Sequence, residues 1–154
     1  MDPFPDDIFN LADIVLRVAR EDPERVAVID LDGWESYGTR RYNRHTYAEL
    51  SADVESVAVG LREMGIAELT RIVCMSPPSY ETCVMGVALT RVGAFSIWID
   101  PSVGYRNVAE RLSRVQPEAF LGNALAHLGR ITFGWGPRDL RKPVVPESPL
   151  LPGG

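Results

Sequence analysis

The sequence predicts an α/β fold: a layered parallel sheet with crossover helices, followed by a proline-rich tail. Three observations carry this. Apolar runs at Ile72-Val73-Cys74-Met75, at residues 94–99 and at residues 119–121 have the texture of strands buried on both faces. Capped amphipathic helices lie between them. The connections are short, which implies parallel strands joined by crossovers with the helices packed against them.

Taken in order, Asn10 can cap a helix whose Leu11, Ile14, Val15 and Val18 share one face, and Asp22-Pro23 stops it. Residues 26–31 are short and β-branched, a strand. Residues 32–44 are polar, with Gly33 and Gly38, and read as a hairpin or irregular loop. Thr46 and Glu49 then form a capping box ahead of the stripe Leu50, Val54, Val57, Ala58 and Leu61. Gly65 suits the left-handed position after that helix, and Ile66 can fold back on Leu61.

Ser79 caps the helix after the first buried strand, and Gly93 ends it. A third crossover helix is expected from near Tyr105 to Val115, with Val108, Leu112 and Val115 inward, and a short helix from Asn123 to Gly129. The domain organisation predicted is an arm over residues 1–9, an incomplete α/β domain over 10–133 and a Pro/Gly-rich tail over 134–154. Such a tail can neither continue a helix nor pair as a central strand, so it is expected to be extended or disordered.

With 154 residues, 45% of them hydrophobic, the chain has the length and composition of one soluble domain with a core of its own. Sixteen basic against twenty-one acidic residues give a net charge of −5, which argues against nucleic acid as a partner. Lys142 is the one lysine among the sixteen; the rest are arginine. No stretch approaches the ~18 apolar residues of a membrane span, so no membrane partner is expected. The acidic start, Met-Asp-Pro-Phe-Pro-Asp-Asp, lacks the pattern of a signal peptide. Cys74 and Cys83 sit among apolar residues, as core thiols of a reducing compartment do, and a cytoplasmic location is the expectation.

No catalytic, cofactor-binding or metal-ligating set stands out. Two cysteines in apolar context do not make a zinc site. His45 precedes a helix cap and His127 lies in a short helix, both ordinary structural settings. Gly134-Trp135-Gly136 has no lysine, no Ser/Thr run and no following helix, so it is not a phosphate loop. Ligands of open parallel sheets bind beyond the carboxyl ends of the strands. That rule selects Ser76, Pro77 and Pro78, and Asp100, Pro101 and Ser102, as candidate substrate-binding residues, although they also serve simply to end a strand and cap a helix.

Residues 45–50, His-Thr-Tyr-Ala-Glu-Leu, resemble the first core motif of the adenylate-forming (AMP-dependent) ligases, which include acyl-CoA synthetases, peptide-synthetase adenylation domains and luciferases. Residues 89–101, ending in Asp100-Pro101 after a Gly-Ala turn and a buried strand, resemble the second. Residues 71–79 are similar to the strand and loop between them. Downstream, residues 100–104, Asn107, residues 116–122 and 126–128 look like the fatty-acyl branch that includes the β-lactone synthetases of bacterial olefin synthesis.

The resemblance implies the N-terminal part of that family's large domain. It also implies a parent reaction from carboxylate and ATP to acyl-adenylate, then to a CoA thioester or a β-lactone, with ATP and Mg as cofactors of the full-length enzymes. Full members are several times longer, and their Pro-Lys-Gly phosphate loop does not occur in these residues. The expectation is a truncated ligase, inactive alone, whose partners are the remainder of the ligase or a second copy. A non-catalytic interaction module that keeps the fold, or one half of a split ligase, stand as alternatives.

Overall fold

Asn10 opens the first helix as expected: its Oδ1 accepts from the Ala12 N–H at 2.9 Å, and α1 spans Leu11–Glu21. The computed structural model describes residues 10–34, 38–99, 112, 114–122 and 142–144. The chain divides into two units, Met1–Ala67 with Pro77–Gly93, and Glu68–Ser76 with Ala94–Gly154.

In the first unit β1 (Val26–Trp34) and β2 (Arg40–Thr46) form an antiparallel hairpin, with Leu31 opposite Tyr42 and Val28 opposite His45. Two irregularities place an extra residue on β1, between Val26 and Val28 and between Leu31 and Gly33. The strand pairing thus runs well into the stretch that the sequence leaves as hairpin or loop. Thr46 ends β2 and caps α2 (Tyr47–Glu63). Its Oγ1 accepts from the Glu49 N–H at 3.2 Å, while the Glu49 carboxylate accepts from the Thr46 N–H at 2.7 Å.

The exit of α2 closes as the sequence suggests. Gly65 sits at φ +72, with the Ile66 N–H donating to Leu61 O and the Gly65 N–H to Arg62 O, both at 2.8 Å. Leu50, Val54, Ala58 and Leu61 of α2 are buried, as are Val84, Ala88 and Leu89 of α3 (Tyr80–Arg91). The three helices pack on one another, and Arg91 of α3 pairs with Glu55 of α2 at 2.9 Å and Asp13 of α1 at 3.8 Å. Asn10 Nδ2 adds a bond to Thr90 O at 2.6 Å.

The second unit holds the parallel sheet that the apolar runs predict. Its order is β4 (Phe95–Trp98), β3 (Arg71–Met75), β5 (Ala119–Gly122), β6 (Lys142–Val144), all pairs parallel. Ile72, Val73, Cys74 and Met75 are buried on both sides of β3, as an inner parallel strand requires. Val73, Met75, Ile99, Leu112 and Phe120 form one apolar cluster, with Ile97 packed on it. Leu112 thus lies inward as expected, while residues 100–111 and the helix expected at 123–129 lie outside the described residues. β6 comes from the proline-rich stretch. Pro143 is paired at the edge of the sheet, where a residue without an N–H is tolerated.

Candidate functional site

Of the candidates at the carboxyl ends of the strands, Ser76 follows β3 in the second unit, while Pro77 and Pro78 begin the second segment of the first. Asp100, Pro101 and Ser102 lie outside the described residues. Pro77 and Pro78 are exposed, and Pro77 O accepts from the Thr82 hydroxyl at 2.7 Å. Ser79 is extended, and its Oγ accepts from the Thr82 N–H at 3.2 Å. The entrance to α3 is therefore capped by its own side chains, and two prolines remove two backbone donors just before it. Neither feature suits a cradle for nucleotide phosphates, which needs free backbone N–H groups and a cation.

A different set of polar side chains meets in the first unit. Alternation along the hairpin puts Asp30 of β1 and His45 of β2 on one face. His45 Nε2 donates to Asp30 Oδ1 at 2.9 Å, because an ionised carboxylate only accepts. The imidazole stacks on the Tyr80 ring of α3, with centroids 3.6 Å apart and planes 7° from parallel. The Tyr80 hydroxyl donates to Asp53 Oδ2 of α2 at 2.7 Å. Asp30, His45, Tyr80 and Asp53 thus join one hairpin and two helices.

Protonation limits what this cluster can do. Burial pushes the Tyr80 phenol up, reinforced by its bond to Asp53 and by the charges of Asp53, Glu49 and Glu81. Cys83, one turn along α3, is raised by burial and by Asp30 and Glu81, and burial takes the Cys74 thiol up to about 12. At neutral pH the phenol and both thiols keep their protons, so neither cysteine offers the thiolate that nucleophilic or metal chemistry needs. The Thr46 N–H and hydroxyl hold the Glu49 carboxyl below its usual range. Among the described residues no group of three or more His, Cys, Asp or Glu is placed to hold a metal ion. The cluster acts as a tie, a stacked ring pair and two hydrogen bonds that pin the hairpin to α2 and α3.

Sequence reasoning gives His45 a structural setting and misses its partners. Asp30 is 15 residues from His45 and Asp53 is 27 from Tyr80, so no short motif links them. The register of the hairpin was the one available signal, since it sets Asp30 and His45 on a common face.

Comparison with known proteins places this geometry in context. Residues 15–142 match the family described as AMP-binding enzyme. The chain is 36% identical over 129 residues to an olefin β-lactone synthetase of Xanthomonas campestris pv. campestris, covering 83% of this chain and 23% of that protein. An olefin β-lactone synthetase of Stenotrophomonas maltophilia is 33% identical over 139 residues, covering 88% and 25% respectively. The chain thus spans about a quarter of the length of the curated relatives it matches. Among solved structures, a fatty acyl CoA synthetase of Mycobacterium tuberculosis superposes with a TM-score of 0.71 at 20% identity, covering 88% of this chain and 26% of that one. A protein described as a long-chain-fatty-acid CoA ligase, from Rhodopseudomonas palustris, gives 0.69 at 21%, covering 89% and 32%. At these identities the likeness speaks to the fold.

Proposed function

Because this chain belongs to the AMP-binding enzyme family, matched from residue 15 to residue 142, we propose that it is a segment of a ligase that activates a fatty acid. The reaction of the whole protein would convert carboxylate and ATP to acyl-adenylate and pyrophosphate. The thiol of coenzyme A would then attack the acyl carbonyl and release AMP, or, where the acid carries a 3-hydroxyl, that hydroxyl would attack it, closing a β-lactone and releasing AMP. The observation that carries this reading is the 36% identity to an olefin β-lactone synthetase across most of the chain. ATP and magnesium are the cofactors of the whole protein in this proposal, bound by groups other than the described residues.

In this reading the 154 residues are scaffold and do not adenylate by themselves. Adenylation develops negative charge on transferring phosphoryl oxygens, and oriented donors and cations must meet it. Pro77 and Pro78 have no backbone N–H to offer, and the Ser79 hydroxyl is used as the cap of α3. Ser76, Pro77 and Pro78, with Asp100, Pro101 and Ser102, are proposed to wall the acyl or nucleotide cleft of the assembled ligase. Phe95 and Trp98, exposed on the edge strand β4, are proposed to be covered by further ligase sequence or by a second copy. The experiment is a chimera in which residues 15–142 replace the matching segment of the Xanthomonas campestris synthetase. Fatty-acid-dependent exchange of labelled pyrophosphate into ATP is the expected result. A folded chimera without exchange overturns the proposal.

A further inference from the structure

Among the described residues the hairpin is a two-stranded sheet of its own, and its two faces differ. β2 runs without a bulge, so Tyr42 and Arg44 stand on one side and Asn43 and His45 on the other. The His45 side is the one tied to the helices, and Val28 and Asp30 share it. On the opposite side Ile29 lies across from Arg44 and Leu31 across from Tyr42. An antiparallel sheet with a single covered face turns its apolar residues to the cover and its polar ones to water. Here the helices take the face that carries Asp30, Asn43 and His45, whereas Ile29, Leu31 and Tyr42 remain 56%, 50% and 51% exposed. That is the pattern of a strand pair made to be covered on both faces, with one cover supplied by α2 and α3.

We propose that this face is an internal interface of the whole ligase, covered by an apolar segment of ligase sequence outside residues 15–142. The inference rests on the reading of this chain as a segment of such a ligase. The chain spans 23% of one olefin β-lactone synthetase and 25% of another, so a protein of that length has the sequence to supply a second layer. About half the surface of Ile29, Leu31 and Tyr42 is still to be withdrawn from water, and an apolar segment laid across them withdraws it. A segment tethered in the same polypeptide meets the face at a far higher effective concentration than a second copy does.

The test is thiol alkylation of Leu31→Cys, read at its own peptide by mass spectrometry. It is run in the 154-residue chain and in the chimera that carries residues 15–142, each rate normalised to that of the same protein in urea. Rapid labelling is expected in the chain. In the chimera labelling should slow at least about tenfold, as for a site closed more than about nine-tenths of the time. Ile29→Cys should behave alike, and matched thermal unfolding checks that both variants keep the fold. Equal labelling in chain and chimera overturns the proposal. So does protection already present in the chain, which assigns the face to a second copy or to the chain's own residues. Protection of the chimera that appears only with added lipid vesicles overturns it as well. Pyrophosphate exchange is read separately. A chimera that exchanges but leaves Leu31→Cys open overturns the docking and not the ligase reading, and one that protects the position without exchange does the reverse.

Discussion

Removing the Tyr80 hydroxyl isolates one bond of the polar tie. The phenol donates to Asp53 at 2.7 Å, and its ring stacks on His45 whether or not the hydroxyl is present. Hydrogen bonds to charged groups contribute about 1.5–3 kcal/mol, but Asp53 is exposed and water competes for it, so about 1 kcal/mol is the working value. For a chain of this size that is about 2–4 °C in Tm. Urea unfolding of Tyr80→Phe, Asp53→Asn and the double variant should give a coupling energy of about 1 kcal/mol. The pH dependence has a definite sign. The folded phenol has a raised pKa, so its contribution is full below the unfolded value of about 10 and is lost as pH rises beyond it. Tyr80→Phe should flatten that alkaline loss relative to the parent chain. Additive single and double variants, with the same alkaline slope, would refute the bond and the anchoring role built on it.

Phe120→Ala empties a fully buried position beside Val73, Met75 and Leu112 and should cost about 3–5 kcal/mol by urea unfolding; a loss below 1 kcal/mol, on the order of a surface change, would contradict the core assigned to the sheet. A thiol-alkylating reagent at mildly alkaline pH should label exposed Cys83 first and reach buried Cys74 on unfolding, and equal rates in the folded chain would contradict the burial of β3. Glu49 has a lowered pKa, so its stabilisation is present above the unfolded carboxyl value of about 4.3 and is lost as pH falls through the folded one. Glu49→Gln should accordingly reduce the acid slope of the unfolding midpoint, and an unaltered slope would argue against the capping box.

What the sequence makes legible is what local chemistry decides. The capping box of Thr46 and Glu49 and the turn at Gly65 are fixed by residues three to five positions apart, and both form as read. Met75 and its three predecessors announce an inner strand because every side chain there is apolar. β2 is the opposite case. Arg40, Arg41, Tyr42, Asn43 and Arg44 are all exposed, so no apolar alternation marks the strand, and backbone pairing to β1 alone defines it. The polar tie was hidden for a related reason: Asp30, His45, Asp53 and Tyr80 meet only once the hairpin and two helices have packed. Pro143 illustrates a milder limit. Its missing N–H excludes a central strand but leaves an edge position open, and that is where β6 lies.

The ligase reading is tested most directly by one exchange assay run on two proteins, the 154-residue chain and the chimera carrying its residues 15–142. Labelled pyrophosphate entering ATP in response to fatty acids reports adenylate formation alone, before any thioester or lactone step. The account predicts background exchange from the chain by itself. It predicts fatty-acid-dependent exchange from the chimera, at a rate within about tenfold of the parent synthetase, a barrier change of about 1.4 kcal/mol. Exchange by the isolated chain above a no-enzyme control, or a folded chimera that exchanges nothing, would contradict it.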